Sequence, residues 1–438
     1  MLYHENSRVL ILGAGKSGLS SARFLSRKGC RLTIADDLQD ASLPLDLSTV
    51  DLVCGPGSIA SQLQKEWDLV VASPGVDIRP YDAPIVNDIE IFYQEYEGQI
   101  VAVSGTNGKS TVTSLIAHIL QQNGIRAIAA GNIGLPPLET LDEDYQVTVL
   151  EISSFQLESI QTFTPDIAVL LNISEDHLDR YDSYEHYIST KARLFRNQSQ
   201  EHWSVLNYDD PAIRTMANED LIASQKVYFS SQNRQKTDNF INCTLKGIHG
   251  KVAGKFMDFP ASRTALQGLH NMENMAAAVI TACLCGLEPE QIGSGLEGFS
   301  PLQHRMTPIR EIAGVQYLDD SKGTNIGAVA KSLAGMERVI LIAGGRNKGA
   351  DFARLSTVVR NSCKLVIAIG EARHHIKEAL EPVTTVLLAD DMDDAVQLAH
   401  KQAIEGDTVL LSPGCASFDM FDSFEHRAHI FVRAVEKL

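Results

Sequence analysis

The sequence predicts an α/β protein of three domains. Short apolar strands alternate with helical patterns along most of the chain, and two of these strands, residues 8–12 and 99–103, run directly into glycine-rich loops. A chain of 438 residues is long enough for about three domains that each bury their own core. The predicted domains are residues 1–95, 96–298 and 299–438.

The first predicted domain begins with strand 8–12 and the loop Gly13-Ala14-Gly15-Lys16-Ser17-Gly18. The helical pattern after this loop ends at Gly29, a residue suited to a helix C-terminus. A second strand, 32–35, leads into Asp36 and Asp37, and a later strand at 68–72 ends in the turn Ser73-Pro74-Gly75. This alternation of strands and helices is typical of an α/β domain.

The second predicted domain begins with a strand and a loop at residues 99–111, followed by a helix that ends near Gly124. Further buried strands are predicted from apolar runs at residues 126–130, 147–152 and 167–173. The polar stretch 224–263 predicts a small antiparallel sheet, and the alanine-rich pattern at 272–287 predicts a buried helix.

The third predicted domain contains apolar strands separated by turns and by helical patterns such as residues 394–404. The strands are predicted at residues 339–343, 365–369, 385–389 and 408–412. Their alternation with helices predicts a doubly wound parallel sheet.

Composition excludes several classes of protein. The chain has 38 lysine and arginine residues against 55 aspartate and glutamate residues, a net charge of −17, which argues against a nucleic-acid partner. The 7 cysteines lack paired zinc-site spacing and are typical of a reducing cytosol. We expect a cytoplasmic protein without membrane insertion, because no apolar run is long enough to span a bilayer and the polar start does not resemble a signal peptide.

The most informative segment is Ser-Gly-Thr-Asn-Gly-Lys-Ser-Thr at residues 104–111, which we call the phosphate loop. Backbone N–H groups of such a loop and the positive end of the following helix face the phosphates of a nucleoside triphosphate. Lys109 would neutralise phosphate charge, and the Ser110 hydroxyl would reach Mg²⁺. Val103 stands where the strict pattern has glycine, so the match is to a shortened variant. A plain strand-to-helix turn is the alternative.

The loop at residues 13–18 has Gly-x-Gly-x-x-Gly spacing behind a strand, and Asp36 follows the second predicted strand. Taken alone, this pattern indicates a dinucleotide site with Asp36 on a ribose. The same geometry holds any nucleotide diphosphate, and a separate triphosphate loop follows later in the chain. We therefore favour a substrate that carries a diphosphate over NAD.

Three polar residues of the second domain are candidates for metal chemistry. Glu151 ends an apolar strand, where a carboxylate usually holds Mg²⁺ beside a phosphate loop, although a solvated strand end is the alternative. His177 follows the next buried strand and is either a metal ligand or a structural histidine. Lys191 shares a helix face with Ile188 and Phe195. Most such lysines extend to water, but a desolvated amine can react with carbon dioxide.

Polar loops follow three strands of the third domain, at residues 317–325, 344–349 and 412–418. Loops at the carboxyl ends of parallel strands can form a common binding rim, although each loop alone is compatible with an ordinary surface turn. Arg305 lies near the predicted domain junction, where it either contacts nucleotide phosphates or is a surface arginine.

Taken together, these segments resemble the Mur ligase family, ATP-dependent enzymes that build the peptide of peptidoglycan precursors. The resemblance spans essentially the whole chain. Its motifs are the phosphate loop, Glu151, residues 172–177, Lys191-Ala192-Arg193-Leu194-Phe195, His270-Asn271-Met272-Glu273-Asn274 and His304-Arg305. The resemblance implies a Rossmann-like N-terminal domain for UDP, a central P-loop ATPase domain, and a C-terminal Rossmann-like doubly wound domain for the incoming amino acid.

Two motifs are similar to those of the family members that add D-glutamate to UDP-N-acetylmuramoyl-L-alanine. They are Leu318-Asp319-Asp320-Ser321-Lys322-Gly323-Thr324-Asn325 and residues 411–419 with Phe424-Glu425-His426-Arg427, with small departures at Gly323, Gly414 and Phe418. The resemblance implies that ATP phosphorylates the L-alanine carboxylate and that the D-glutamate amine attacks the acyl phosphate, in cytoplasmic peptidoglycan precursor synthesis. The alternatives are another Mur ligase, a folylpolyglutamate synthase-like ligase or, more distantly, a nucleotide-dependent oxidoreductase or a P-loop switch protein.

The resemblance also implies the residues of each site. The catalytic residues are Lys109, Glu151, His177, Lys191 and Lys348. The ATP site consists of Gly105, Thr106, Asn107, Gly108, Lys109, Ser110, Thr111, Asn271, Asn274, Arg305, Asp320 and Lys322. The UDP-substrate site consists of Lys16, Ser17, Asp36, Asp37, Ser73, Gly75, Asn132, Ser153 and Gln156, and D-glutamate is received by Thr324, Lys348, Ser417, Phe418 and Phe424. Two Mg²⁺ ions are implied near Ser110, Glu151, His177 and Lys191, the last as a carbamate, in an enzyme expected to be a monomer.

Overall fold

The computed structural model describes residues 2–219, 221–232, 238–266, 268–300 and 303–438. Residues 233–237 of the predicted antiparallel stretch and residues 301–302 near the start of the third predicted domain lie outside them. The described chain forms three sheets and divides into two compact units. The first unit contains Met1–Ile173 and Tyr187–Phe299, and the second contains Ser174–His186 and Ser300–Leu438. The predicted boundaries between the three domains stay a prediction.

The first unit begins with a parallel sheet that opens a crevice at its carboxyl edge. Its strands are β1 (Arg8–Leu12), β2 (Arg31–Asp36), β3 (Asp51–Cys54), β4 (Leu69–Ala72) and β5 (Ile85–Val86), and its helices are α1 (Lys16–Arg27), α2 (Ser58–Leu63) and α3 (Asp88–Glu95). The strands pair in parallel in the order β3-β2-β1-β4-β5. The strand order reverses between β1 and β4, so the loops that follow these two strands diverge and leave a crevice.

The central sheet of the first unit combines a parallel core with an antiparallel edge. Its strands are β6 (Gln99–Ser104), β7 (Ala127–Gly131), β8 (Val147–Glu151), β9 (Ile167–Leu170), β10 (Trp203–Asn207), β11 (Gln225–Ser230), β12 (Phe240–Thr244), β13 (Gly247–Val252) and β14 (Lys255–Pro260). Their order is β14-β13-β12-β11-β10-β9-β6-β8-β7. β12, β13 and β14 pair antiparallel, which confirms the predicted antiparallel sheet, whereas β11 pairs in parallel with β10 and β12.

Two helices that contact each other pack against the central sheet next to the phosphate loop. The helices of this region are α4 (Lys109–Gln122), α5 (Ser154–Leu157), α6 (Tyr184–Ala192), α7 (Pro211–Asn218), α8 (Leu269–Leu284) and α9 (Pro289–Gly295). α4 and α8 pack together in one hydrophobic core, where the alanines at 276–278 are fully buried. Because small side chains let helices approach closely, α8 holds the start of α4, and with it the phosphate loop, against the sheet.

The second unit contains the third sheet. Its strands are β15 (Thr307–Ile312), β16 (Val315–Asp319), β17 (Val339–Gly344), β18 (Cys363–Ile369), β19 (Thr385–Leu388) and β20 (Thr408–Leu411), and its helices are α10 (Ile326–Leu333), α11 (Ser356–Ser362), α12 (Arg373–Leu380), α13 (Met392–Gln402) and α14 (Phe424–Glu436). The order is β15-β16-β20-β17-β18-β19, parallel except for the β15–β16 pair. The four predicted strands of this domain are confirmed as β17, β18, β19 and β20.

One part of the predicted rim belongs to a strand. The sequence predicts a polar loop over residues 317–325, but Tyr317, Leu318 and Asp319 form the end of β16. Tyr317 is buried in the core and Asp319 is fully buried, so these two side chains point into the domain. The loop therefore begins at Asp320.

In the part of the chain that the structure describes, none of the helices combines the length and apolar composition needed to cross a bilayer.

Candidate functional site

The crevice of the first sheet is a cleft of about 710 Å³. It lies where the strand order reverses, and the loops after β1, β2 and β4 line it. The predicted UDP-substrate residues of this domain are all among its lining residues: Lys16, Ser17, Asp36, Asp37, Ser73 and Gly75. Val76 and Tyr81 add apolar surface to the same cleft. A polar floor with an apolar wall suits a molecule that carries both phosphates and a base.

Asp36 holds the glycine loop in shape. Its Oδ2 accepts from Ala14 N at 2.8 Å and its Oδ1 accepts from Leu38 N at 2.9 Å, so both carboxylate oxygens bind backbone. Glycine is required at position 18, because a Cβ there would overlap Gly13 O. The third glycine of the motif therefore allows α1 to start directly against the end of β1.

The phosphate loop joins β6 to α4, and Asn172 holds it through three hydrogen bonds. Asn172 Oδ1 accepts from Asn107 N at 2.8 Å, and Asn172 Nδ2 donates to Asn107 O at 2.9 Å. Asn172 O accepts from Thr106 N at 2.9 Å. Lys109 Nζ donates across the loop to Gly105 O at 2.9 Å and to Thr106 O at 2.8 Å. The charged Nζ of Lys109 thus lies within the turn of the phosphate loop.

Glycine is required where the loop turns into α4. Gly108 has a φ of 90°, and a Cβ there would lie 2.5 Å from Asn274 Oδ1. Asn274 in turn donates from Nδ2 to Asn271 Oδ1 at 3.1 Å. The predicted ATP residues Asn271 and Asn274 therefore lie at the start of α8, next to the phosphate loop.

Glu151 provides a buried carboxylate beside the phosphate loop. It pairs in register with Val103, the residue before the loop, and only 2% of its surface is exposed. Its Oε1 accepts from Asn132 Nδ2 at 2.7 Å. Its Oε2 is buried and has no hydrogen-bond partner among the described residues. Because an unsatisfied buried carboxylate oxygen is costly, the arrangement fits a site for a hard cation such as Mg²⁺.

Lys191 lies against the same loop. It is 1% exposed, its Nζ donates to Gly105 O at 3.1 Å, and the same atom lies 4.8 Å from the centre of the Tyr187 ring. The Tyr187 hydroxyl and Thr106 Oγ1 are 3.2 Å apart. The position of Lys191 on the buried face of α6, predicted from helical spacing, is confirmed. Lys191 is thus bonded to the phosphate loop, and Glu151 lies on the strand that pairs with the strand leading into this loop.

Ser110 and the two residues of α5 complete this edge of the central sheet. Ser110 is 2% exposed in the first turn of α4. Ser153 caps α5: its Oγ accepts from Gln156 N at 3.3 Å, and Gln156 Oε1 accepts from Ser153 N at 3.0 Å. Within the described residues there is no cluster of three or more histidine, cysteine or acidic side chains of the kind that holds a metal unaided.

The second unit carries His177 and Lys348. Lys348 Nζ pairs with Asp176 Oδ1 at 2.5 Å, and Asn325 Nδ2 donates to Asp176 Oδ2 at 3.1 Å. Lys348 and Asp176 are both largely buried, which strengthens their attraction. His177 has a φ of 56°, an uncommon conformation for a residue with a side chain. His177 N donates to Asp176 Oδ1 at 3.0 Å.

The loops after β16 and β20 are tied together. Asp320 is 4% exposed, and its Oδ2 accepts from Ser332 Oγ and Ser412 Oγ, each at 2.7 Å. Burial raises the pKa of Asp320, and those two hydroxyls and the Arg305 charge partly offset the effect. Gly414 N donates to Gly323 O at 2.8 Å.

The remaining predicted residues of this rim differ in exposure. Lys322 Nζ lies 5.1 Å from the centre of the Phe424 ring at the start of α14. Ser417 is 3% exposed, whereas Phe418 is 64% exposed. Thr324 lies in the loop between β16 and α10.

Comparisons with known proteins place the chain in a family. Three domain families match in succession: Mur ligase MurD-like, N-terminal domain, over residues 7–89; Mur ligase middle domain, over residues 103–282; and Mur ligase, glutamate ligase domain, over residues 304–415. UDP-N-acetylmuramoylalanine--D-glutamate ligase of Geotalea daltonii is 39% identical over 99% of this chain and 98% of its own. The chain belongs to the Mur ligase family.

A second relative and a solved structure agree with this family. UDP-N-acetylmuramoylalanine--D-glutamate ligase of Syntrophotalea carbinolica is 40% identical over 100% of this chain and 99% of its own. The structure of a pseudomurein peptide ligase type C from Methanothermus fervidus has a TM-score of 0.65 at 17% identity, covering 99% of this chain and 100% of that one, and it shows a common fold. The predicted family and the three-domain α/β fold are confirmed.

Sequence reasoning misses several residues that shape the sites of this Mur ligase. Asp88 is 1% exposed, and burial raises its pKa to about 6, an effect that the neighbouring Ser17 and Gln156 side chains partly offset. Asp88 is thus close to two predicted UDP-substrate residues, Ser17 on α1 and Gln156 on α5. Glu90 and Arg427 are fully buried. Little in the sequence indicates that these three residues are buried, because each lies in a helical pattern where a charged residue normally indicates a solvated face.

Proposed function

We propose that this Mur ligase joins D-glutamate to UDP-N-acetylmuramoyl-L-alanine, using ATP to activate the L-alanine carboxylate as an acyl phosphate. The curated relatives described above are named for this activity. The observation that carries the ligase chemistry is the meeting of the phosphate loop, Glu151 and Lys191 at one edge of the central sheet. A phosphate loop with a buried, partly unsatisfied carboxylate and a buried lysine beside it supports phosphoryl transfer.

In this proposal, the phosphate loop binds the triphosphate of ATP. Backbone N–H groups of residues 105–111 contact the phosphates, and Lys109 exchanges its bonds to Gly105 O and Thr106 O for bonds to phosphate oxygens. Glu151 Oε2 and the Ser110 hydroxyl would hold Mg²⁺, with His177 and Lys191 as the other proposed ligands of two ions. Bound Mg²⁺ supplies neutralisation of the charge that develops on the transferred phosphoryl group.

Lys191 would act in this proposal as a carbamate. The Lys191 ammonium loses one proton to become a neutral amine, which adds to carbon dioxide and loses a second proton, so that a buried cation becomes a carboxylate-like anion able to bind Mg²⁺. The carbamate nitrogen keeps one hydrogen, so the bond to Gly105 O can persist. This modification would give the phosphate loop a second anionic ligand beside Glu151.

The proposed UDP-sugar site extends from the cleft of the first sheet to the central sheet. The diphosphate lies on the loop of Lys16 and Ser17, and Asn132, Ser153 and Gln156 receive the far end of the substrate. The proximity of Asp88 to both Ser17 and Gln156 supports a continuous site from the first sheet to the central sheet.

The proposed D-glutamate site lies in the second unit. A D-glutamate carboxylate would take the place of Asp176 on Lys348, with Thr324, Ser417, Phe418 and Phe424 as the remaining contacts. Once bound, the amine attacks the acyl phosphate carbon, and collapse of the tetrahedral adduct releases phosphate. Because the reaction uses ATP, we also propose a cytoplasmic location, and we propose a monomer as the family resemblance implies.

A substrate panel tests the proposed function. Phosphate release is measured with ATP, Mg²⁺ and UDP-N-acetylmuramoyl-L-alanine, with D-glutamate, L-glutamate, L-alanine or a diamino acid as the second substrate. We expect release above background with D-glutamate alone among these amino acids. Equal release with another amino acid, or release that does not depend on the UDP-sugar, would contradict the assignment.

The carbamate has its own test. Lys191→Ala should lower kcat by at least 100-fold, because the loop loses an anionic ligand, and millimolar acetate or formate should restore part of the activity by filling the space. Chloride at the same ionic strength is the control. Activity that survives the substitution, or that responds equally to chloride, removes the carbamate from the mechanism.

A further inference from the structure

Arg427 is a buried charge that the proposed chemistry does not use. It lies on α14 with 0% of its surface exposed. Burial lowers its pKa to about 10, and the acidic groups of Cys415, Asp419, Asp319 and Asp320 partly offset that effect. The guanidinium is therefore still charged at neutral pH. A charge in this position costs stability unless it is well bonded, so its contacts require an explanation.

The guanidinium joins two loops through their backbone. Arg427 Nη2 donates to Ser321 O at 2.8 Å, in the loop after β16, and Nη1 donates to Cys415 O at 3.1 Å, in the loop after β20. Arg427 Nε is buried without a hydrogen-bond partner among the described residues. The planar fork of arginine can span two carbonyls that a single ammonium group cannot bridge.

The Ser321 end of this bridge is fixed from the opposite side. Asp319 Oδ1 accepts from Ser321 N at 2.9 Å and from Ser321 Oγ at 2.5 Å. The other oxygen of Asp319 lies 2.6 Å from His304 Nδ1. Ser321 is therefore held at its N–H, hydroxyl and carbonyl, which leaves this turn of the loop little freedom.

The bridge lies close in sequence to three of the residues proposed to receive D-glutamate. Thr324 is three residues after Ser321, Ser417 is two residues after Cys415, and Phe424 is one helical turn before Arg427. We infer that Arg427 is a positioning residue that sets the spacing of Thr324, Ser417 and Phe424, so that one amino acid can contact all three. This inference rests on the proposed D-glutamate site.

The test compares Arg427→Lys with Phe431→Leu in the full-length enzyme. Phe431 is fully buried one turn further along α14 and packs in the core, so its variant lowers stability without changing the two loops. We expect Arg427→Lys to raise KM for D-glutamate about tenfold, while KM for the UDP-sugar changes less than twofold. Phe431→Leu should leave both KM values unchanged at a similar loss of Tm. Equal changes in KM for both variants, or none in Arg427→Lys, would overturn the inference.

Rescue and hydrogen exchange provide readouts that do not need a folded-fraction correction. Guanidinium at about 10–50 mM should lower KM for D-glutamate in Arg427→Ala. Sodium at equal ionic strength should not. Amide exchange at Gly414, whose N–H bonds to Gly323 O, should accelerate in Arg427→Lys but not in Phe431→Leu. Unchanged exchange at Gly414 contradicts the bridge. If the wild type shows no D-glutamate-dependent phosphate release, the proposed function fails, and the exchange result still decides whether Arg427 orders the loops.

Discussion

At the scale of single residues, the buried carboxyl group of Asp88 makes stability depend on pH. In the folded state its pKa is raised to about 6 by burial, from an ordinary value of 3.8. The folded protein therefore binds more protons than the unfolded chain between pH 4 and pH 6. The contribution of Asp88 to the free energy of unfolding is present at low pH and is lost as the pH rises through about 6.

Asp88→Asn should remove this dependence. We expect the variant to gain stability relative to the wild type as the pH rises from 5 to 8, by about 1.4 kcal/mol. The amide oxygen can still accept from Ile89 N, as Asp88 Oδ1 does at 3.0 Å. Urea unfolding at several pH values measures the difference. A constant difference across the range would show that Asp88 ionises in the folded protein as it does in the unfolded chain.

Buried residues differ in how well their burial can be predicted from the sequence. Lys191 could be placed on a buried face because Ile188 and Phe195 lie one turn away in the predicted helix. Arg427, Asp88 and Glu90 could not, because nothing in their helical patterns indicates that another loop or sheet covers them. Their burial depends on tertiary contacts, such as that of Arg427 with Ser321, which lies 106 residues away in sequence.

At the scale of elements, the first turn of α3 is anchored to the segment between α5 and β9. Glu90 accepts from Gln161 N at 2.8 Å, Thr162 N at 2.6 Å and Phe163 N at 3.2 Å, and also from the Thr162 hydroxyl. Asn87 caps the helix at Glu90 N and donates from Nδ2 to Gln156 O at 2.5 Å. One helical turn thus joins the first sheet to a segment of the central region.

Glu90→Gln should break this anchor. The amide NH₂ would face a backbone N–H, so at least one buried donor loses its acceptor, and we expect a loss of about 3 kcal/mol in the free energy of unfolding. Glu95→Gln is the matched control at the other end of α3, where Lys28 forms a partly exposed ion pair, and it should cost less than about 1 kcal/mol. Urea unfolding of both variants checks the contrast, and similar losses would argue against a specific anchor.

Element prediction succeeded where apolar runs are uninterrupted and failed where they are not. β17 is buried throughout and β20 from its second residue onward, and both were predicted within one residue. β10 carries Ser204 and Asn207 among its residues, and β15 carries adjacent charges at an antiparallel edge, so neither shows an apolar run. Buried hydroxyl and amide groups in β10 find partners, such as Asn207 Nδ2 on Leu171 O at 2.9 Å, that only the folded sheet provides.

At the scale of the whole molecule, the predicted sites divide between two compact units. The proposed UDP-sugar residues all lie in the first unit, whereas the proposed D-glutamate residues all lie in the second. Each unit has its own hydrophobic core, with the core around Val103 and Met275 in the first and the core around Tyr317 and Phe431 in the second. The UDP-sugar and D-glutamate should therefore each act on the stability of one unit.

Calorimetry of the full chain should show this division. A ligand that binds a folded unit at 100 times its Kd stabilises that unit by about 2.7 kcal/mol. We expect UDP-N-acetylmuramoyl-L-alanine to raise the transition of the first unit and to leave that of the second unchanged. Phe431→Leu identifies the second transition, because it removes core volume only from that unit and should lower its Tm alone. If the substrate shifts both transitions equally, or the chain melts in a single step, the two units do not unfold independently and the assignment of the UDP-sugar to the first unit loses this support.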